Sequence, residues 1–284
     1  MISSFEDLLA PLTIDEFRKA LRERTLIFRR GAGDNRLAGL LDWETLRNLV
    51  EDDSFPGPQV RITRNSRALH GVMYLDGKKM NAEKFAKLMH GGASLITQPI
   101  DPCVPALHAL CESARDHVSD FVWAGAVAQT GGGGALTIHY DTQDLIILQL
   151  AGRKRWRIFS PTVDFPLREF RSHGEPSDNL VLDEVLAPGD FLFLPAGFWH
   201  VCENGPDLSL HGIIFFQAAT GLQALGSLTH KLKDDLAFRR PLRRFESTEE
   251  RVAHEKFLKA QLIRKIEDAS FDELLADFVP NKDY

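Results

Sequence analysis

From Phe121 to Phe216 the chain breaks into short β-prone runs separated by turn residues, and this pattern limits the fold more than any other feature. The runs are Phe121–Val127, Asp144–Leu150, Lys154–Phe159, Leu180–Leu182, Phe191–Leu194, His200–Cys202 and Leu208–Phe216. Turn signals fall between them at Gly131–Gly134, Ala151-Gly152, Pro188-Gly189, Pro195-Ala-Gly197 and Gly205-Pro206. Many short strands with regular turns predict a sandwich or a barrel.

The flanks read differently. Before residue 121, helices and strands alternate. Thr13-Ile-Asp-Glu16 is a capping box, and Asp42 caps a helix running through Val50. Asn81 opens a helix that Gly91-Gly92 stops, and a further helix is expected from about Pro102 to Val118. Strands are expected at Thr25–Phe28, Val60–Thr63, Val72–Leu75 and Ser94–Thr97, with a loop at Ser54–Pro58. After Gly221 the chain reads as helical, with Leu222, Leu225, Leu228 and Leu232 on one face and capping boxes at Ser247 and Ser270. The expected organisation is an αβ region over 1–120, a barrel over 121–219 and a helical region over 220–284.

Composition removes several classes. A net charge of −6 argues against a broadly basic nucleic-acid footprint, so no direct nucleic-acid binding is expected. Three cysteines without a Cys-x-x-Cys pattern suit a reducing compartment rather than a disulfide scaffold or thiolate zinc site. The acidic N-terminus does not read as a signal peptide, and runs such as Leu145-Ile-Ile-Leu148 are too short to span a bilayer. A cytoplasmic location without membrane attachment is the expectation. Gly131–Gly134 is not a phosphate loop, because no Gly-Lys-Ser/Thr follows. Zinc-protease, nucleophile-elbow and dinucleotide fingerprints are absent from the sequence.

Chemistry concentrates at His139-Tyr-Asp141. Strand side chains alternate, so residues two apart face the same side, and His139 and Asp141 can both enter a barrel. Octahedral iron(II) held by two His and one carboxylate leaves three positions open. His200, after Pro195-Ala-Gly-Phe-Trp199, fits as the third ligand from a distant strand. The bland alternative is a structural His with an Asp cap, and for His200 a hydrogen-bonded strand residue. His173-Gly-Glu175 competes on spacing, but it lies in a polar loop with no strand after it. Cys202 shares the strand face of His200 and reads as a small core residue.

Strand parity adds Lys154. Trp156 and Ile158 should face inward, so Lys154 does too, while Arg153, Arg155 and Arg157 face out as a solvated basic surface. An inward lysine needs an anion, which a dicarboxylate supplies. A lysine reaching to water at the barrel rim is the other reading.

Taken in order, His139-Tyr-Asp141, Leu148-Gln-Leu-Ala-Gly-Arg-Lys-Arg-Trp156, Leu186-Ala-Pro-Gly-Asp190, Leu194-Pro-Ala-Gly-Phe-Trp-His200 and Ser209-Leu-His211 resemble the JmjC-type cupin oxygenases, nearest to their ribosomal-oxygenase-like subgroup. The resemblance implies an α+β protein: a double-stranded β-helix (cupin, jelly-roll) core, N-terminal αβ elements and a C-terminal helical region. It implies Fe(II) on His139, Asp141 and His200, and 2-oxoglutarate as cosubstrate with O2. Lys154 would hold the distal carboxylate, with Thr137 and Ser209 also assigned to the cosubstrate. The implied reaction is hydroxylation of a side chain in a protein or peptide, giving succinate and CO2. An N-methyl-lysine or -arginine demethylase on the same site, a non-catalytic cupin scaffold and a cosubstrate-free cupin enzyme are the alternatives. The helices after 220 would form a homodimer. Family members often carry a Tyr about twelve residues before the first metal His; here that place is near Val127. Fuller members end in a winged-helix domain, for which the residues up to Tyr284 leave no room.

Overall fold

A computed structural model describes residues 2–31, 36–52, 60–119, 121–131, 136–167 and 174–276. The expected loop at Ser54–Pro58, Gly132–Gly134, and Arg168, Arg171 and His173 lie outside these residues. Chain contacts divide the protein into two units, Met1–Gln217 and Ala218–Tyr284.

In the first unit the opening helices are α1 (Phe5–Leu9) and α2 (Ile14–Glu23), the latter started by the Thr13–Glu16 capping box. Arg24 closes α2 in the left-handed conformation, and the Thr25 amide donates to Ala20. Thr25 is thereby spent on the helix end, and the expected strand shifts to β1 (Ile27–Arg29). Next come α3 (Trp43–Glu51), β2 (Val60–Arg64) and β3 (Arg67–Ala68).

The strand expected at Val72–Leu75 is not formed. Gly71–Met73 is a 3-10 turn capped by His70, and only Leu75–Asp76 (β4) pairs, with Lys79–Met80 (β5). Val72 is 69% exposed, so no buried face holds it extended. Then follow α4 (Ala82–His90), β6 (Ser94–Thr97) and α5 (Pro105–Arg115). α5 starts later than expected. Asp101–Cys103 forms a 3-10 turn because the Asp101 carboxylate accepts from the Ala124 amide, and Pro105 supplies the first helical position.

The barrel is built from β7 (Phe121–Gln129), β8 (Asp144–Ala151), β9 (Lys154–Phe159), β10 (Leu180–Leu186), β11 (Phe191–Leu194), β12 (Trp199–Asn204) and β13 (Ser209–Gln217). One sheet runs β1-β11-β8-β13-β7-β6-β2-β3, and the facing sheet runs β10-β9-β12. An isolated bridge from His139 to His200 extends the second sheet beyond β12. All barrel pairings are antiparallel, as in a double-stranded β-helix.

The large sheet is apolar on both faces, because both are covered. Its outer residues, among them Ala124, Ile146, Phe193 and Phe216, join the core formed with Phe5, Phe17, Leu95 and Leu107. Its inner residues, including Trp123, Leu145, Ile147, Leu192 and Phe215, meet Trp156 and Ile158 of β9 inside the barrel. The β9 burial alternates as parity requires: Lys154, Trp156 and Ile158 are buried. On its outer side Arg155 pairs with Asp183 and Arg157 with Glu203.

The second unit holds α6 (Gly221–Leu232), α7 (Leu236–Arg239), α8 (Thr248–Asp268) and α9 (Phe271–Leu275). Its core is small: Ala224, Leu228 and Leu274. Of the expected apolar face, Leu228 is buried, whereas Leu222 and Leu225 are exposed. Among the described residues no helix is long and apolar enough to cross a membrane.

Candidate metal centre

His139, Asp141 and His200 come together at one end of the barrel. One ligand atom from each lies within 4.8 Å of the other two. The His200 Nε2 is 3.5 Å from Asp141 Oδ2, and the two imidazole centroids are 4.4 Å apart. This separation admits a cation bonded to all three at ordinary nitrogen and carboxylate distances.

Backbone pairing creates the cluster. The His139 amide donates to the His200 carbonyl at 3.1 Å, and His200 returns the bond at 2.7 Å. Tyr140, between the two ligands, points the other way and packs edge-on against Trp199, the residue before His200. The Trp199 indole donates to Thr162 Oγ1 at 2.8 Å. Two aromatic neighbours on one face thus back the ligands on the other.

Each imidazole is also oriented through its second nitrogen. His139 Nδ1 is 2.8 Å from the Thr137 carbonyl and His200 Nδ1 is 3.1 Å from the Phe198 carbonyl. A carbonyl only accepts, so both Nδ1 atoms carry hydrogen, which leaves Nε2 as the nitrogen each ring can offer a metal. Burial, and then the neighbouring His139, push His200 down to about 4, leaving it neutral and able to ligate at ordinary pH.

The loop before His200 is braced by residues that sequence reasoning missed. The Gly197 amide donates to the Asp141 carbonyl at 2.8 Å. The Asp144 carboxylate accepts from the Ala196 amide at 2.8 Å, and Arg24 donates to the Ala196 carbonyl at 2.6 Å. Gly197 has φ +84, and a Cβ there would meet the Val163 carbonyl at 3.0 Å. Asp190 is the corresponding brace on the Leu186–Asp190 turn, accepting from the Gly31 and Ala187 amides and from Arg30. Asp144 follows the His139–Asp141 motif by three residues, and Asp190 ends the Ala-Pro-Gly-Asp turn. A carboxylate beside a tight turn was the available signal.

Lys154 is completely buried, and its Nζ has no nitrogen or oxygen partner. Burial pushes its pKa down, against a smaller opposing effect of the adjacent Cys202 thiol. An ammonium enclosed without an anion is the mark of a ligand seat. Ser209 is also buried, and its hydroxyl accepts from Gln149 Nε2 at 3.0 Å. Thr137 is exposed, and its backbone carbonyl is what holds His139. Val127 is buried on β7 opposite His211. Of the competing pair, Glu175 is exposed, and His173 lies outside the described residues.

A double-stranded β-helix with a His-x-Asp…His cluster at its mouth is a cupin-type barrel with a candidate metal site. Residues 107–222 match the family model of the JmjC domain. It is 29% identical over 215 residues to ribosomal oxygenase 2 of Rattus norvegicus, covering 73% of this chain and 45% of that protein. It is 24% identical over 232 residues to the bifunctional lysine-specific demethylase and histidyl-hydroxylase NO66 of Drosophila persimilis, covering 79% of this chain and 33% of that protein. The chain thus spans less than half the length of these relatives. Among solved structures it resembles YcfD, a ribosomal oxygenase from Escherichia coli in complex with cobalt and 2-oxoglutarate. The TM-score is 0.58 at 18% identity, covering 88% of this chain and 67% of that one.

Proposed function

We propose that the protein is an Fe(II)- and 2-oxoglutarate-dependent oxygenase that hydroxylates a side chain of a protein or peptide. The observation that carries this reading is the coexistence, inside one barrel, of the His139–Asp141–His200 cluster and the enclosed Lys154 ammonium, which has no anionic partner. The donor set suits iron(II): two neutral imidazoles and one carboxylate on one side of a metal leave the other side open. When bound, iron(II) with 2-oxoglutarate and O2 supplies oxidative decarboxylation to succinate and CO2 and oxygen insertion into an unactivated C–H bond. His139, Asp141 and His200 bind the metal. Lys154 neutralises the distal carboxylate of the cosubstrate, while Trp156 and Ile158 keep the space between dry. Ser209 and Thr137 are assigned to the cosubstrate on resemblance, Ser209 from the interior face and Thr137 through its hold on His139.

The relatives support the substrate class: two are named for ribosomal oxygenation or histidyl hydroxylation. Demethylation is the second reading, favoured by the lysine-specific demethylase in the name of one of them. Product mass separates the two, as gain of one oxygen atom or loss of one methylene. We divide the chain into an αβ region (1–120), the barrel (121–219) and a helical region (220–284), and assign homodimerisation to the last. Leu222, Leu225, Phe257, Ile263 and Ile266 are exposed there, more apolar surface than so small a core leaves on a monomer. The proposed compartment is the cytoplasm.

The deciding experiment is anaerobic addition of iron(II) and 2-oxoglutarate. A weak visible charge-transfer band is expected, absent in Asp141→Ala. No band, together with no succinate in air, would favour a non-catalytic scaffold.

A further inference from the structure

His211 lies on the interior face of β13, fully buried, and the roles above make no use of it. Its cross-strand neighbours are Val127 on β7 and Gln149 on β8. Across the barrel its ring stands edge-on to Trp156, with centroids 5.4 Å apart; Trp156 in turn is 5.9 Å from His200. Lys154 is two residues before Trp156 on the same inward face of β9. His211 therefore stands in the barrel interior within electrostatic reach of both Lys154 and His200.

The ring is incompletely paired: Nδ1 has no hydrogen-bond partner although the site is closed to water. Buried polar atoms left this way cost stability, and a cluster of them facing one space points to a missing occupant. Its two cross-strand neighbours have no free donor. Val127 has no polar side-chain atom. Gln149 Nε2 is already spent on the Ala151 carbonyl at 2.7 Å and on Ser209 Oγ at 3.0 Å. The Trp156 Nε1 is likewise unpartnered, on the opposite wall.

We propose that His211 is a cosubstrate-binding residue: its imidazole N–H, together with the Lys154 ammonium, holds the distal carboxylate of the dicarboxylate. The inference rests on the oxygenase reading above. Charge bookkeeping favours it. Burial, then Lys154, then His200 hold His211 well below the usual histidine range, so the ring is neutral. One ammonium and one neutral donor facing one carboxylate make a site of zero net charge, whereas two cations would not. A neutral imidazole adds direction to a contact that a lysine makes as a point charge.

The test compares two ligands on the iron(II)-loaded protein without oxygen, by calorimetry. 2-Oxoglutarate carries the distal carboxylate; 2-oxopentanoate has the same chain length with a methyl group in its place. His211→Leu should weaken 2-oxoglutarate by about tenfold or more, the size of a lost hydrogen bond to a charged group, and 2-oxopentanoate by less than about twofold. His211→Asn, which keeps an N–H donor, should retain most of the difference and guards against a misfolded Leu variant. Equal weakening of both ligands by a folded Leu variant, or no weakening of 2-oxoglutarate by it, would overturn the role of His211 alone. Wild-type protein that binds iron but not 2-oxoglutarate would overturn the oxygenase reading and this inference with it.

Discussion

Replacing Lys154 by Met should make the ligand-free protein more stable and remove its response to 2-oxoglutarate. The side chains are similar in length, so the cavity stays filled. What disappears is an ammonium with no exposure and no nitrogen or oxygen partner. Replacing even a paired buried ionic group by apolar residues of like volume is neutral or stabilises by about 1–4 kcal/mol, and a charge without an anion has less to lose. At the ~2–4 °C per kcal/mol of larger domains, a gain near 2 kcal/mol raises Tm by roughly 4–8 °C. Ligand acts oppositely. At one hundred times its Kd, 2-oxoglutarate should stabilise the wild type by about 2.7 kcal/mol and the variant hardly at all. The gap between the proteins should therefore close or reverse when cosubstrate is added. The pH dependence has a definite sign. Lys154 has a folded pKa below its unfolded value, so between the two the unfolded chain binds the extra proton. Wild-type stability then rises with pH in that window, and the advantage of the Met variant fades toward about pH 10.4. Thermal unfolding with and without ligand, from neutral to alkaline pH, measures all of this. A ligand-free Met variant less stable than wild type by more than ~1 kcal/mol would mean that the ammonium is already satisfied. Equal protection of both proteins by 2-oxoglutarate would separate Lys154 from the cosubstrate.

Other outcomes follow from the same geometry. Asp141→Ala should lower iron(II) affinity by at least about tenfold, since it leaves two neutral ligands, and end turnover; equilibrium iron binding would remove Asp141 from the set if unchanged. In the metal-free protein His200 is neutral down to about pH 4, so stability should fall as pH drops from about 6.5 toward 4, and a His200→Gln variant should lose that part of the slope. Gly152 turns β8 into β9 at φ +63, and a Cβ would fall on the Leu208 carbonyl. Gly152→Ala should therefore cost at least about 1–3 kcal/mol in chemical unfolding; a cost below ~0.5 would show that the turn can rearrange. Sedimentation at micromolar concentration should give a dimer that Phe257→Glu with Ile263→Glu dissociates; a wild-type monomer would leave the helical region as an intramolecular element.

Local rules in the sequence account for a definite share of this protein. Capping boxes at Thr13, Ser247 and Ser270 are formed as expected, because a cap is settled within four residues. The inward set Lys154, Trp156 and Ile158 follows from the two-residue period of a strand, which needs no knowledge of neighbours. His139 and Asp141 fall on one side and Tyr140 on the other as that period requires, although only His139 makes a bridge there and no strand runs through them. Where local signals competed, they misplaced elements: Val72–Leu75 has strand-forming residues but no buried face, and Thr25 is consumed by the end of α2. Parity says which way a side chain points, not what lies opposite. That His200 backs onto His139 through two main-chain bonds, that Arg24 and Asp144 brace its loop, and that His211 comes near Lys154 inside the barrel are long-range facts. They are decided by the closing of two sheets on each other, a pairing whose free energy comes from residues far apart in the chain and leaves no periodic trace in either partner.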